Sequence, residues 1–114
     1  MNVKDKYGLK FLKEKNVENV TYCFCNYIQS ENFHSVALIL NQLKEFELES
    51  FIEELDWCIE NKNNGNTGFF SDSVEFMQIN YNYPDVNIND LGDCIIDMHD
   101  LKIILEEWRI FKNS

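Results

Sequence analysis

The residues of this sequence best suited to catalysis are its two histidines, His34 and His99. An imidazole titrates near neutral pH and can act as a general base, usually with a carboxylate to orient it. Asp97 and Asp100 flank His99, but aspartates at this spacing also start helices, and we favour that interpretation. His34 lies in an apolar helical segment, and no glycine-flanked nucleophilic serine accompanies it. The sequence therefore predicts no catalytic residue and no enzyme activity.

The four cysteines could bind zinc or form disulfides. Cys23 and Cys25 form a C-x-C pair, whereas Cys58 and Cys94 are isolated and lack the paired spacing of zinc ligands. The N-terminal segment lacks the apolar core of a secretory signal, and no apolar run approaches the roughly 20 residues of a membrane-spanning helix. We therefore expect a soluble, cytoplasmic protein whose cysteines are buried thiols.

Residues 85–89 imitate the start of a calcium-binding loop, because oxygen-bearing side chains occupy its first, third and fifth positions. Such a loop needs glycine at its sixth position and a chelating glutamate at its twelfth. The sequence has Asp90 and Ile96 there instead. The four glycines also form no nucleotide-binding motif. We expect neither a metal nor another cofactor.

The spacing of apolar residues predicts the elements that would position these side chains. Recurrence every three or four residues indicates helices, and clusters of β-branched and aromatic residues indicate strands. The predicted helices cover 3–15, 33–43, 47–61 and 98–112, and the predicted strands cover 20–28, 74–81 and 93–96. The stretch 36–40 could alternatively be a strand.

Several boundaries carry their own signals. Strand 20–28 is expected to be central and buried on both faces, and Ser30 is expected to cap the helix that follows it. The break at Tyr83-Pro84-Asp85 should end strand 74–81, and Asp97 should cap the closing helix. The expected fold is a single α+β domain over 1–114, with a small antiparallel sheet of about three or more strands, three to four helices and an amphipathic C-terminal helix.

The acidic residues are concentrated in the central half of the chain. The net charge is −10, and residues 45–101 hold fourteen acids and one lysine, a balance of −13. Such a field disfavours nucleic acid and anionic membranes and favours fast, salt-sensitive capture of a basic protein surface. The alternative is that these acids serve only solubility.

Aromatic residues are interleaved with this acidic block near predicted turns. Phe69, Phe70, Tyr81 and Tyr83 could act as anchors, since interfaces combine aromatic anchors with a charged rim. The two tyrosines are favoured because a proline follows them and ends the strand. The predicted partner-binding residues are Asp72, Glu75, Tyr81, Tyr83, Asp85, Asp90 and Asp93.

The C-terminal third carries a family resemblance in the segments VEFMQI (74–79) and DCIIDMHDLKIILEEW (93–108). A strand, an acidic turn and a closing helix that ends in Glu-Glu-Trp resemble the small immunity proteins of bacterial polymorphic-toxin and contact-dependent growth-inhibition systems. The resemblance implies binding and neutralisation of a cognate toxin, often a nuclease with a basic cleft, by occlusion of that cleft. The lysine-rich N-terminal segment departs from a wholly acidic inhibitor. The alternative function is a regulatory or adaptor domain that dimerises or assembles complexes through an apolar helix face.

Overall fold

The computed structural model of the protein describes residues 2–27, 33–74, 77–89 and 92–114. Within these ranges the elements follow in the order α1 (Val3–Lys6), β1 (Leu9–Lys15), β2 (Thr21–Tyr27), α2 (His34–Gln42), α3 (Glu45–Asn61), β3 (Gly68–Phe69), β4 (Gln78–Asn82), β5 (Asp85–Asn89), β6 (Asp93–Asp97) and α4 (Met98–Lys112). Helices and antiparallel strands are mixed along the chain, which confirms the predicted α+β class. No helix in these ranges is long and apolar enough to cross a lipid bilayer.

The strands form two antiparallel sheets. β1 and β2 make a two-stranded ribbon, and β3, β4, β5 and β6 make a four-stranded sheet in chain order. Residues alternate strictly between buried and exposed along β4 and β6, as expected for a sheet with one covered face. The covered face of the larger sheet contributes Ile79, Tyr81, Val86, Ile88, Cys94 and Ile96 to the core.

The helices α3 and α4 each contribute five buried apolar residues to the core. The ring of Phe51 in α3 stacks on Phe69 of β3 with centroids 4.3 Å apart. Trp108 in α4 meets Phe11 of the ribbon edge-on at 4.9 Å. The buried side chains of ribbon, sheet and helices thus form one hydrophobic cluster.

The prediction of one helix over 3–15 was wrong beyond its first turn. The helix α1 ends at Lys6, and the chain continues as the strand β1. Gly8 adopts a φ of 71°, a left-handed conformation that favours glycine and ends a helix. Leu9 and Phe11 are then both buried with an exposed residue between them, which is the two-residue period of a strand.

The strand predicted at 20–28 exists as β2, but it is neither central nor buried on both faces. Only Cys25 of this strand is fully buried, and β2 pairs with β1 alone among the described strands. Its other edge is closed by Asn41 of α2, whose Oδ1 accepts from the Cys25 N–H at 2.7 Å and whose Nδ2 donates to the Cys25 carbonyl at 2.9 Å. A side-chain amide therefore substitutes for a neighbouring strand.

The four-stranded sheet differs from prediction in three strands: β3 and β5 were not predicted, and β4 has other bounds. β4 covers Gln78–Asn82, a shorter and later strand than the 74–81 predicted, and β6 matches the prediction at 93–96. β5 was missed, because asparagine and aspartate are depleted in strands and alternate here with Val86 and Ile88. The predicted break contains a cis Tyr83-Pro84 peptide and connects β4 to β5.

The helices from α2 onward match their predictions. α2 includes residues 36–40, so the alternative of a strand there was wrong, and the proposed cap at Ser30 lies outside the described residues. α3 begins two residues before its predicted start. Asp97 caps α4 as predicted, since its Oδ1 accepts from the Asp100 N–H at 2.9 Å.

The cysteines are free thiols, three of them buried, with Cys23 half-buried. Burial raises the pKa of Cys25 to about 12 and that of Cys94 to about 11. These thiols therefore stay protonated at neutral pH and pack as small apolar groups.

The burial of Trp108 predicts a large loss of stability on truncation. Its side chain is 1 % exposed, and Trp108→Ala should lower the free energy of unfolding by about 3–5 kcal/mol. Ile110→Ala, a control on the same helix at a residue 66 % exposed, should change it by less than about 0.5 kcal/mol. Urea unfolding followed by circular dichroism measures both. Equal losses would contradict the packing described for α4.

Candidate functional site

Four of the acidic residues of α3 differ in whether they have an ion-pair partner. Glu49 and Asp56 face α4, where they pair with Arg109 and Lys102, each at 2.8 Å. Glu53 and Glu54 border the groove described below, and neither forms an ion pair with any described residue. The cations of α4 therefore neutralise only the acids that face them.

The unpaired side of α3 borders a groove, which we call the α3 groove. Its second wall is the segment 64–73, and its floor includes Tyr81 and Cys58. A cleft of about 460 Å³ at its centre is continuous with two neighbouring clefts, because they share lining residues. The α3 groove is lined by Phe46, Ser50, Glu53, Glu54, Trp57, Gly65, Asn66, Phe70, Asp72 and Tyr81.

Three aromatic side chains in the α3 groove are exposed. Phe46 is 67 %, Trp57 47 % and Phe70 84 % exposed. Phe46 and Trp57 lie on one face of α3, at its opposite ends, about 16 Å apart along the helix axis. Large apolar side chains left in water around a concave surface are typical of interaction sites.

The indole of Trp57 is held by the turn that follows α3. A Cβ placed on Gly65 would lie 2.8 Å from Cε3 and Cζ3 of the Trp57 ring, closer than the non-bonded contact distance of two carbon atoms. The backbone of Gly65 therefore packs directly against the ring. A residue with any side chain at position 65 would displace the indole.

Hydrogen bonds from the floor and the second wall of the groove orient the carboxylate of Glu54. Its Oε1 accepts from the Tyr81 hydroxyl at 2.9 Å and from Asn66 Nδ2 at 3.4 Å. Burial and the Glu54 charge raise the pKa of Tyr81, so its phenol remains a hydrogen-bond donor at every physiological pH. Glu54 is thus an oriented anion.

Glu47 links the start of α3 to the second wall of the groove by hydrogen bonds. This carboxylate is 7 % exposed; it accepts from the hydroxyl of Ser71 and, at 3.0 Å, from the backbone N–H of Lys44. The Ser73 N–H in turn donates to the Ser71 hydroxyl at 3.1 Å. Burial alone would raise the pKa of Glu47, but these hydrogen bonds outweigh it and hold the pKa below its usual value.

Comparison with protein-family models, with curated proteins and with solved structures finds no match for this chain.

The groups that line the α3 groove are suited to binding a cation. Its thiol, Cys58, is buried, and burial and the Glu54 charge raise its pKa, which removes the thiolate that a nucleophile needs. The remaining lining groups are carboxylates, amides, hydroxyls and aromatic rings. Together they can attract a cation, pair with it and contact its aliphatic or planar part.

Two of the predicted site residues belong to this groove, in different roles. Asp72 is exposed on its rim. Tyr81 is 5 % exposed and buries its ring in the core, so it cannot be the exposed anchor that was predicted. The anchor role fails because Tyr81 occupies an inward position of β4. Its hydroxyl instead orients Glu54.

The other predicted residues lie elsewhere. Asp85 and Asp93 project from the open face of the four-stranded sheet, and Tyr83 is half-buried in the turn between β4 and β5. Glu75 and Asp90 lie outside the described residues. The structure therefore does not gather the described members of this set into one site.

Sequence reasoning named Phe70 and Tyr81 but missed Phe46, Trp57 and the glutamates of the groove. The signal was present in α3: Phe46 and Trp57 fall opposite the stripe formed by Leu48, Phe51 and Leu55, where polar residues are expected. An aromatic residue on the polar face of an amphipathic helix is a candidate for an interface. Phe70 was among the possible anchors, because it lies near a predicted turn, and it is exposed.

One described group has donor atoms close enough for a metal ion: Asp97, His99 and Asp100, whose ligand atoms lie within 4.8 Å of one another. The two aspartates have structural partners. Asp97 caps α4, and Asp100 accepts from the hydroxyl of Tyr7. The helix-start interpretation of these aspartates is therefore confirmed.

The hydrogen bonds of Glu47 predict a pH-dependent contribution to stability. Because the pKa in the folded protein is lower than in the unfolded chain, the ionised carboxylate stabilises the fold above the unfolded pKa, and this stabilisation is lost as the pH falls through the folded pKa. Glu47→Gln should lower the free energy of unfolding by about 1 kcal/mol at pH 7. The variant and the wild type should converge below about pH 4.

Urea unfolding at a series of pH values measures this convergence. Glu53→Gln, at an exposed carboxylate of the same helix, is the control and should follow the wild type within about 0.5 kcal/mol. A constant gap between Glu47→Gln and the wild type from pH 3 to 7 would contradict the assigned role of Glu47.

Proposed function

We propose that this protein is an immunity-type inhibitor that binds a cognate bacterial toxin and neutralises it by occluding a basic active-site cleft. The toxin is a nuclease, because a nuclease cleft must carry positive charge to hold phosphates. The α3 groove is the surface that makes the contact. The observation that carries the proposal is the combination, in one groove, of carboxylates without a described ion-pair partner and exposed aromatic rings.

The charges of the groove support a cationic protein as partner. Glu53, Glu54 and Asp72 lie around the groove, and among the described residues the one cation at its edge is Lys44. A partner that brings lysine or arginine relieves the repulsion among these acids and is drawn in by the net charge of −10. The acids and the resemblance to immunity proteins thus favour the same class of partner.

The aromatic rings support a specific, slowly dissociating complex. Tryptophan is among the residues most enriched at energetic hot spots, and Trp57 is already held in place by Gly65 before a partner arrives. Preorganisation reduces the conformational entropy lost on binding. The rings therefore contribute to residence time, and the carboxylates contribute to the rate of association.

The second candidate function is that of an adaptor domain, which dimerises or assembles complexes through an apolar helix face. Phe46 and Trp57 on the outer face of α3 favour it, because a second copy could cover both. Self-association would, however, bring the carboxylates of two copies together. Sedimentation velocity distinguishes the two functions: the inhibitor is expected to be monomeric without its toxin, and a dimer abolished by Trp57→Ala would favour the adaptor.

The proposal predicts which acidic surface controls association. A candidate toxin would be recovered from the source organism by affinity capture, purified, and confirmed by inhibition of its nuclease activity. The pair Glu53→Gln and Asp72→Asn should then slow association and weaken its dependence on salt. The matched pair Asp85→Asn and Asp93→Asn removes the same charge from the open sheet face and should have the smaller effect. Stopped-flow kinetics at several salt concentrations measures both rates.

Dissociation is expected to depend on the aromatic rings. Trp57→Ala should speed dissociation about thirtyfold, the effect of a hot spot of about 2 kcal/mol. Ile95→Ala, at a residue 58 % exposed on the sheet face, is the control and should leave the rate unchanged. If the sheet-face pair slows association more than the groove pair does, the interface lies on the open sheet face. Association indifferent to salt would contradict electrostatic capture altogether.

A further inference from the structure

The centre of the α3 groove places one indole beside two carboxylates. Glu53 and Glu54 precede Trp57 by four and three residues in the uninterrupted helix α3. At these spacings the Cβ atoms of neighbouring side chains lie about 5–6 Å apart. Both carboxylates therefore flank the same indole, one turn before it.

Neither carboxylate is neutralised within the described part of the chain. The ion pairs of α3 with described cations involve Glu49 and Asp56 and leave Glu53 and Glu54 out. Glu54 uses only its Oε1 to accept from Tyr81 and Asn66, which leaves Oε2 without a hydrogen bond to any residue in the described ranges. Within the described ranges, the site thus combines an oriented anion, a second anion and an aromatic ring packed against Gly65, and includes no cation.

Resting on the function proposed above, we propose that Glu53, Glu54 and Trp57 bind an arginine side chain of the partner. A guanidinium is planar, so it can stack on the indole while its N–H groups donate to a carboxylate beside the ring. A lysine ammonium is compact and strongly hydrated, and it gains less from such a planar arrangement. The site therefore selects arginine over lysine.

The support around the site strengthens this selection. Gly65 packs against the Trp57 ring, and Tyr81 fixes the carboxylate of Glu54. A guanidinium needs both groups at set positions, because its donors form a rigid fork. Carboxylates whose positions are not fixed would attract lysine and arginine side chains equally.

Short peptides test the selectivity without knowledge of the natural partner. The probes are Ac-Gly-Arg-Gly-NH2 and its counterparts with lysine or citrulline, titrated into the intact protein and followed by the NMR signals of the indole N–H groups. The Trp57 signal, assigned with Trp57→Phe, reports on the site, and that of the buried Trp108 is an internal control. The arginine peptide should bind about two- to fivefold more tightly than the lysine peptide, and the uncharged citrulline peptide should bind more weakly than either.

Two variants locate the interaction. Glu54→Gln keeps an oxygen for the Tyr81 hydroxyl but removes the charge, and it should weaken binding of the arginine peptide about two- to fivefold. Asp93→Asn, at an exposed acid of the sheet face, should leave it unchanged. The proposal would be overturned if the lysine peptide bound as tightly as the arginine peptide. It would also be overturned if Glu54→Gln and Asp93→Asn weakened binding of the arginine peptide equally.

The outcome is separable from that of the proposed function. Failure to find an inhibited toxin would leave arginine selectivity intact if the Trp57 signal responds as expected. Conversely, a toxin that binds through the groove while the peptides show no preference for arginine would overturn the arginine site alone.

Discussion

The burial of one stripe of α3 is the interaction on which the rest of the structure depends. Leu48, Phe51 and Leu55 are buried, α3 packs against α4, and the Phe51 ring contacts the rings of Phe69 in β3 and Tyr81 in β4. An isolated helix of this length is marginal in water, so its packing, more than its propensity, holds it in place. Because burial of the stripe fixes the rotation of the helix about its axis, it also fixes which residues face outward.

The same rotation sorts the charges of α3. Acids next to α4 find Arg109 and Lys102, and those on the groove side find no described cation. Unpaired like charges in one region lower stability slightly through mutual repulsion, which a basic partner would relieve. The carboxylates that contribute least to the stability of the fold therefore lie in the groove, where a basic partner could pair with them.

The α3 groove is supported from three directions by groups that are not themselves exposed anchors. Gly65 lies against the indole, Tyr81 orients Glu54, and Glu47 ties the segment 71–73 to the start of α3. Each support comes from a different part of the chain. A binding surface held in this way loses little entropy when it is occupied, which is consistent with a tight inhibitor and with selection of a planar cation.

The sequence by itself determined the α+β class, the helices from α2 onward, the cap of α4 and the acidity of the central region, because these depend on local spacing, local capping and composition. Only the tertiary structure decided that residues 9–15 are a strand, that Asp85–Asn89 joins a sheet and that β2 lies at an edge. These outcomes depend on pairing with the next strand and on the contact of Asn41 with β2, which the residues of each segment taken alone do not show. Tertiary packing also separated Asp72 from Asp85 and Asp93. It brought Trp57 and Glu54 together with Gly65 and Tyr81. The charge of a segment can be counted from the sequence, but packing decides which residues share a surface.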